Sequence, residues 1–128
     1  YMEKNVAFAK KTGYAETVLK RRRYIKELSS PNFTTRSFGE RAAMNMPLQG
    51  SSADIIKLAM LGVARRLKKE GLKSELILQV HDELIIDAYE DEKERVENLL
   101  KEEMENAVKL SVPLTVSLSA GKTWFDAK

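Results

Sequence analysis

The residues of this chain best suited to chemistry are His81-Asp82-Glu83. They follow a stretch in which Leu76, Leu78 and Val80 alternate with Ile77, Gln79 and His81, the period of a β-strand, and they precede a second apolar run, Leu84-Ile85-Ile86. With only Asp82-Glu83 between the two runs, the spacing predicts a tight antiparallel hairpin of Leu76–His81 and Leu84–Tyr89, with two carboxylates at its tip. A carboxylate at the end of an apolar strand is held rigidly and still reaches a ligand, which suits a hard cation. Mg²⁺ is usually bound by one or two carboxylates plus water and substrate phosphates, so one hairpin supplies part of such a site. A polar turn with no ligand fits the same tripeptide.

Two other groups carry polar chemistry. Arg41, Asn45 and Gln49 recur at intervals of four in a segment otherwise rich in small and apolar residues. Such side chains suit phosphates and minor-groove edges, where acceptors are read without demanding one sequence; a helix cap with surface polar residues accounts for the spacing equally. The run Arg21-Arg22-Arg23 would bind phosphates if nucleic acid passed nearby, and is also at home in solvent. Trp124 and Phe125 read as core anchors rather than base-stacking platforms.

These residues need elements to hold them. Met2, Val6 and Ala9 predict a helix over Tyr1–Lys11 that ends at Gly13. Tyr14–Leu19 with Arg23–Ile25 predicts a short hairpin turning at Lys20-Arg21-Arg22, and Ser29–Ser37 reads as loop. A short helix over Phe38–Asn45 is expected to be interrupted by Pro47. Ser51-Ser52-Ala53-Asp54 then predicts the capped start of a long helix, with the stripe Ile56, Met60, Val63, Leu67 and a stop at Gly71. Asp91-Glu92-Lys93-Glu94 reads as a second cap, ahead of Val96, Leu99, Leu100, Met104, Ala107 and Val108. Leu114, Val116, Leu118 and Ala120 predict a last strand, covered on one side and added to the sheet of the acidic hairpin. Helices packed on an antiparallel sheet make the fold class α+β.

Composition bounds the function. A chain of 128 residues, 43% apolar and 32% charged, is expected to form one domain around one core. No apolar run approaches a membrane span, and no signal-peptide pattern opens the chain, so a soluble, cytoplasmic setting with no membrane partner is expected. The lack of cysteine excludes disulfides, thiolate catalysis and zinc-thiolate sites. Neither phosphate-binding glycine motif occurs, and one histidine leaves a serine triad unsupported. The charge is uneven: residues 1–50 hold ten Lys/Arg against four Asp/Glu, whereas residues 51–128 hold twelve against fifteen. The first part suits a polyanion, or plain solvent.

Together the motifs resemble a known family. The string Glu40-Arg41-Ala42-Ala43-Met44-Asn45-Met46-Pro47-Leu48-Gln49-Gly50-Ser51-Ser52-Ala53-Asp54, followed by Gln79-Val80-His81-Asp82-Glu83-Leu84, is similar to the C-terminal part of bacterial family A DNA polymerases of the DNA polymerase I type. Tyr14, Glu16-Thr17 and Arg21-Arg22-Arg23-Tyr24 extend the likeness forward, and Gly121 and Trp124 extend it nearly to the end. The resemblance implies a partial polymerase palm, with 1–50 a basic helix, hairpin and loop region and 51–128 palm helices and strands. It implies that Asp82 binds two catalytic Mg²⁺ ions together with an aspartate from an earlier strand, and that Glu83 is an accessory acid. It makes His81 a neighbour of the primer terminus, and Arg41, Asn45 and Gln49 contacts to the template strand and the terminal base pair. The partners it implies are primer-template DNA, deoxynucleoside triphosphates and the remainder of the polymerase chain.

Departures from the family pattern are Lys20 for a frequent glycine, Lys26-Glu27 for Pro-Asp, and Ser51-Ser52 for Thr-Ala, the last expected to keep a cap. The first metal-binding aspartate and the nucleotide-binding helix of the family have no counterpart here. The resemblance therefore implies a piece of a template-directed polymerase that is inactive alone, since two-metal phosphoryl transfer needs both carboxylates. The competing reading is an autonomous, non-catalytic nucleic-acid-binding module. A gene encoding the missing aspartate upstream of Tyr1 separates the first from the second.

Overall fold

The computed structural model describes all residues, Tyr1–Lys128, as two compact units, Tyr1–Asp54 and Ile55–Lys128. Each has its own apolar cluster, so two small cores stand where one was expected.

In the first unit, α1 (Met2–Thr12) ends as expected at Gly13, which adopts φ 83° and returns its N–H to the Ala9 carbonyl. Strands β1 (Tyr14–Glu16) and β2 (Arg22–Tyr24) pair antiparallel, with Tyr14 opposite Tyr24 and Glu16 opposite Arg22. The turn therefore spans residues 17–21 rather than 20–22, and Arg22 belongs to a strand. Thr17 N–H bonds the Arg21 carbonyl at 2.9 Å, which closes the turn over Lys20 at φ 68°. That left-handed backbone costs a side-chain-bearing residue roughly 1–2 kcal/mol. Ala9, Ala15, Ile25, Ala43 and Met46 form the cluster beneath.

Helix α2 (Phe33–Lys69) differs most from expectation. It starts inside the segment read as loop, where Asn32 Oδ1 accepts the Thr35 N–H at 3.2 Å as an N-cap. It then continues through Pro47. Proline removes one helical hydrogen bond and crowds the preceding turn, but Ala43 and Met46 are buried just before it, and Ile56, Ala59, Val63 and Leu67 after it. Packing on both flanks outweighs the local penalty. Ser51 consequently caps nothing: its hydroxyl donates to the Pro47 carbonyl and accepts the Val18 N–H at 2.8 Å, fastening the hairpin to the helix. Gly50 lets them meet, because a Cβ there would lie 2.8 Å from Thr17 Cγ2.

In the second unit, α2 stops at Gly71 as expected. Gly71 takes φ 66° and donates to the Lys68 carbonyl, while Leu72 N–H reaches Leu67 at 3.0 Å, the paired bonds of a Schellman end. Strands β3 (Glu75–Val80) and β4 (Glu83–Asp87) follow as an antiparallel hairpin, and α3 (Lys93–Glu105) packs on it. Val63, Leu67, Val96 and Leu99 form the cluster, flanked by Leu72, Leu76, Leu84, Ile86 and Leu100. Arg66 of α2 reaches Glu102 and Glu103 of α3. The fold class is α+β, as expected, with two two-stranded antiparallel sheets.

Asp91 does not cap α3, which is preceded by a 3₁₀ turn at Glu90–Glu92 and has no side-chain cap. The neighbouring Glu92 faces the other way. Its carboxylate accepts the Lys73 and Ser74 N–H groups, each at 2.9 Å, and the Ser74 hydroxyl at 2.6 Å. Ser74 Oγ in turn accepts the Tyr89 N–H at 3.0 Å, so the latch ties the chain before β3 to the chain after β4. The Lys73 backbone bond first, and the Ser74 hydroxyl next, hold the Glu92 carboxyl below its usual range. A depressed carboxyl stabilises the fold above its unfolded value and ceases to do so as pH falls through the folded value. Glu92→Gln is expected to lower Tm at pH 7, with the gap closing as both proteins are taken below the ordinary carboxylate range. A gap that is constant from pH 7 to acid would contradict the latch.

Residues 109–121 form no strand, so the expected addition to the acidic hairpin does not occur. Alternation specifies one apolar face, but a strand also requires a neighbour's backbone groups, and here only Val116 N–H is tied, to Glu105 Oε1 at 3.2 Å. Trp124 and Phe125 are not core anchors either, being 42% and 87% exposed. No helix is long and apolar enough to cross a membrane.

Candidate metal hairpin and nucleic-acid face

The acidic hairpin is shifted one residue from the reading of its sequence. Val80 pairs with Glu83, so the two-residue turn is His81-Asp82, and Glu83 is the first residue of β4. His81 takes φ 52°, a positive value of the kind two-residue hairpin turns require. Ile77 bulges from β3, since Leu76 pairs with Ile86 and Leu78 with Ile85. The bulge breaks the strict alternation and leaves Ile77 and Leu78 exposed. The apolar footing of the tip is Leu76, Leu84 and Ile86 against the cluster of α2 and α3.

Asp82 and Glu83 are exposed, and neither carboxylate is engaged in an ion pair or side-chain hydrogen bond of this chain. Both are thus available to a cation. No three His, Asp or Glu side chains converge to hold a metal ion, so by itself the tip offers at most two carboxylates to a divalent ion.

The first unit gathers most of the other sequence-derived candidates. Because α2 is unbroken at Pro47, Arg41, Asn45 and Gln49 lie on one helical stripe instead of on either side of a break. With Arg21, Arg23 and Phe38 they line an open cavity of about 510 Å³. The three arginines of the basic run do different things. Arg21 donates through Nε to Asp54 Oδ1 at 2.7 Å and through Nη2 to the Gly50 carbonyl at 3.2 Å, so it clamps the hairpin to α2. Arg22 lies 4.4 Å from the Tyr14 ring centre and 3.7 Å from Glu16. Arg23 lines the cavity and engages no carboxylate of the chain. Nothing in the run itself signals Asp54, the partner of Arg21, which sits 33 residues away in sequence.

Against known proteins, the model of DNA polymerase family A matches residues 1–126. The chain belongs to that family. It is 56% identical over its full 128 residues to DNA polymerase I of Bacillus subtilis (strain 168), of which it spans 14%, and 54% identical to DNA polymerase I of Geobacillus stearothermophilus, of which it spans 15%. Among solved structures it matches the POL domain of Pol1 from M. smegmatis, in complex with DNA primer-template and dNTP, at TM-score 0.97 and 50% identity, over 99% of this chain and 22% of that one. The chain thus spans about one seventh of the length of these curated relatives.

Proposed function

We propose that this chain serves as the C-terminal palm portion of a DNA-directed DNA polymerase, adding deoxynucleotides to a primer 3′ end once joined to the rest of a polymerase chain. The observation that carries the reading is Asp82, exposed at the tip of an antiparallel hairpin in a chain matched to the family over residues 1–126. Divalent metal use goes with the family, and Mg²⁺ suits the carboxylate donors. Asp82 is the ligand and Glu83 the accessory acid, with a second carboxylate supplied from outside these residues. Bound ions would stabilise the charge on the attacking and leaving oxygens.

The chain's own residues hold and orient the reactants. His81 stands beside Asp82 at the tip and is assigned to the primer terminus. Arg41, Asn45 and Gln49 present one stripe of donors for the template strand and the minor-groove side of the terminal base pair. Arg23 adds a phosphate contact at the same cavity, whereas Arg21 and Arg22 serve mainly the hairpin. We place the protein in the bacterial cytoplasm, where primer-template DNA and deoxynucleoside triphosphates are its partners.

Binding of primer-template DNA to the 128-residue chain tests the nucleic-acid face. Affinity is expected to be weak and to fall with salt, and Arg41→Ala should reduce the salt slope by about one phosphate contact. Tight, salt-insensitive binding would instead identify a self-sufficient, non-catalytic binding module.

A further inference from the structure

Gln79 is assigned no function by the reading above, yet its side chain makes the one side-chain hydrogen bond at the acidic tip. Nε2 donates to the backbone carbonyl of His81 at 2.6 Å. That oxygen belongs to the peptide joining the two turn residues, His81 and Asp82. A peptide unit is planar, so fixing its oxygen fixes the plane and with it the direction in which the Asp82 backbone leaves.

The turn has two forms to choose between. Two-residue hairpin turns are favoured either with positive φ at both central residues or with positive φ at the first only, and the two differ by rotation of the peptide between them. Here His81 has φ 52° while Asp82 is not left-handed, so the turn occupies the second form. Aspartate tolerates the left-handed region better than most residues. A histidine at the first central position does not favour the observed form, which prefers glycine there, so the backbone alone does not secure it, and a rotated peptide would aim the Asp82 carboxylate elsewhere.

We propose that Gln79 is a positioning residue that locks the His81–Asp82 peptide in one of its two orientations and so aims Asp82 at the metal. The functional half of this inference rests on Asp82 being a metal ligand, as proposed above; the structural half does not. A neutral hydrogen bond biases the two turn forms by about fivefold. Gln79 is exposed on β3, so replacing it removes the bond without opening a core.

The structural half is read by NMR on the 128-residue chain. Positive φ brings a residue's own amide and α protons close together, giving a strong intraresidue nuclear Overhauser effect. In the native chain this signal is expected to be strong at His81 and weak at Asp82. In Gln79→Leu, and in the near-isosteric Gln79→Glu, which cannot donate when ionised, the Asp82 signal should strengthen. An Asp82 signal unchanged in both variants overturns the lock. The functional half is read in a full polymerase carrying these residues. There Gln79→Leu should raise the Mg²⁺ concentration for half-maximal incorporation, by about twofold or more as the competent turn is depopulated, with DNA affinity unchanged. A rotated turn with an unaltered Mg²⁺ response overturns the positioning role. Near-normal incorporation by Asp82→Asn would count against the ligand reading instead, and the NMR result would stand without it.

Discussion

Asp82→Asn, made in a full polymerase carrying this chain, is expected to abolish most nucleotide incorporation while leaving primer-template affinity within about twofold. Asparagine keeps the size of the side chain, and the turn already tolerates a polar residue at the second central position. What disappears is the negative charge, and an amide oxygen is a poor substitute for a carboxylate toward Mg²⁺. Metal stabilisation of charge in the transition state amounts to several kcal/mol, and each 1.36 kcal/mol is a factor of ten in rate, so a loss on the order of 10³-fold is expected. DNA affinity is spared because Arg23, Arg41, Asn45 and Gln49, the donors assigned to the template and its phosphates, lie in the other unit, and His81 is unaltered at the tip. Single-turnover incorporation with Mg²⁺ as the only divalent ion, together with a DNA titration of the same protein, separates the two effects. Near-normal incorporation would reduce the hairpin to a structural turn. Equal losses in binding and rate would point to misfolding, which the thermal stability of the variant would reveal.

Much of this site was legible in the sequence, because short-range rules govern it. Two apolar runs joined by two polar residues can only be an antiparallel hairpin, and an acid at its tip follows. The one-residue shift was not legible: His81 is neither glycine nor asparagine, so nothing in its type announces φ 52°. The bulge at Ile77 was equally hidden, since an isoleucine within a run of apolar residues reads as plain strand. Pro47 shows a different limit. The local rule is sound, but burial of Ala43 and Met46 on one side and of Val63 and Leu67 on the other overrides it, and burial is a property of the folded chain. Residues 114–120 show the converse, with strand periodicity present and no paired neighbour. Arg21 looked like its two neighbours until Asp54, one helix away, drew it out of the set.

The hairpin tip is only as well placed as the cluster beneath it, and Leu99→Ala is the substitution expected to disturb that cluster most. Leu99 is 1% exposed and, with Val63, is among the largest fully buried side chains of the chain. It packs with Val63, Leu67 and Val96 under Leu76, Leu84 and Ile86 of the hairpin. Truncating a buried leucine to alanine removes its transfer free energy and leaves a cavity that neighbours fill only in part, a cost of about 2–5 kcal/mol. Set against a total stability of roughly 5–15 kcal/mol for an ordinary domain, that is enough to unfold a marginal unit. Tm should fall by several degrees, and amide exchange should accelerate first in β3, β4 and α3, where the lost contacts lie. Ile77→Ala is the control: Ile77 is on the same hairpin but 58% exposed, so its loss should change stability by no more than about 0.5 kcal/mol. If the two substitutions cost the same, the footing of the acidic turn is not the cluster around Leu99, and the hairpin must be held by its ladder and the Glu92–Ser74 latch alone.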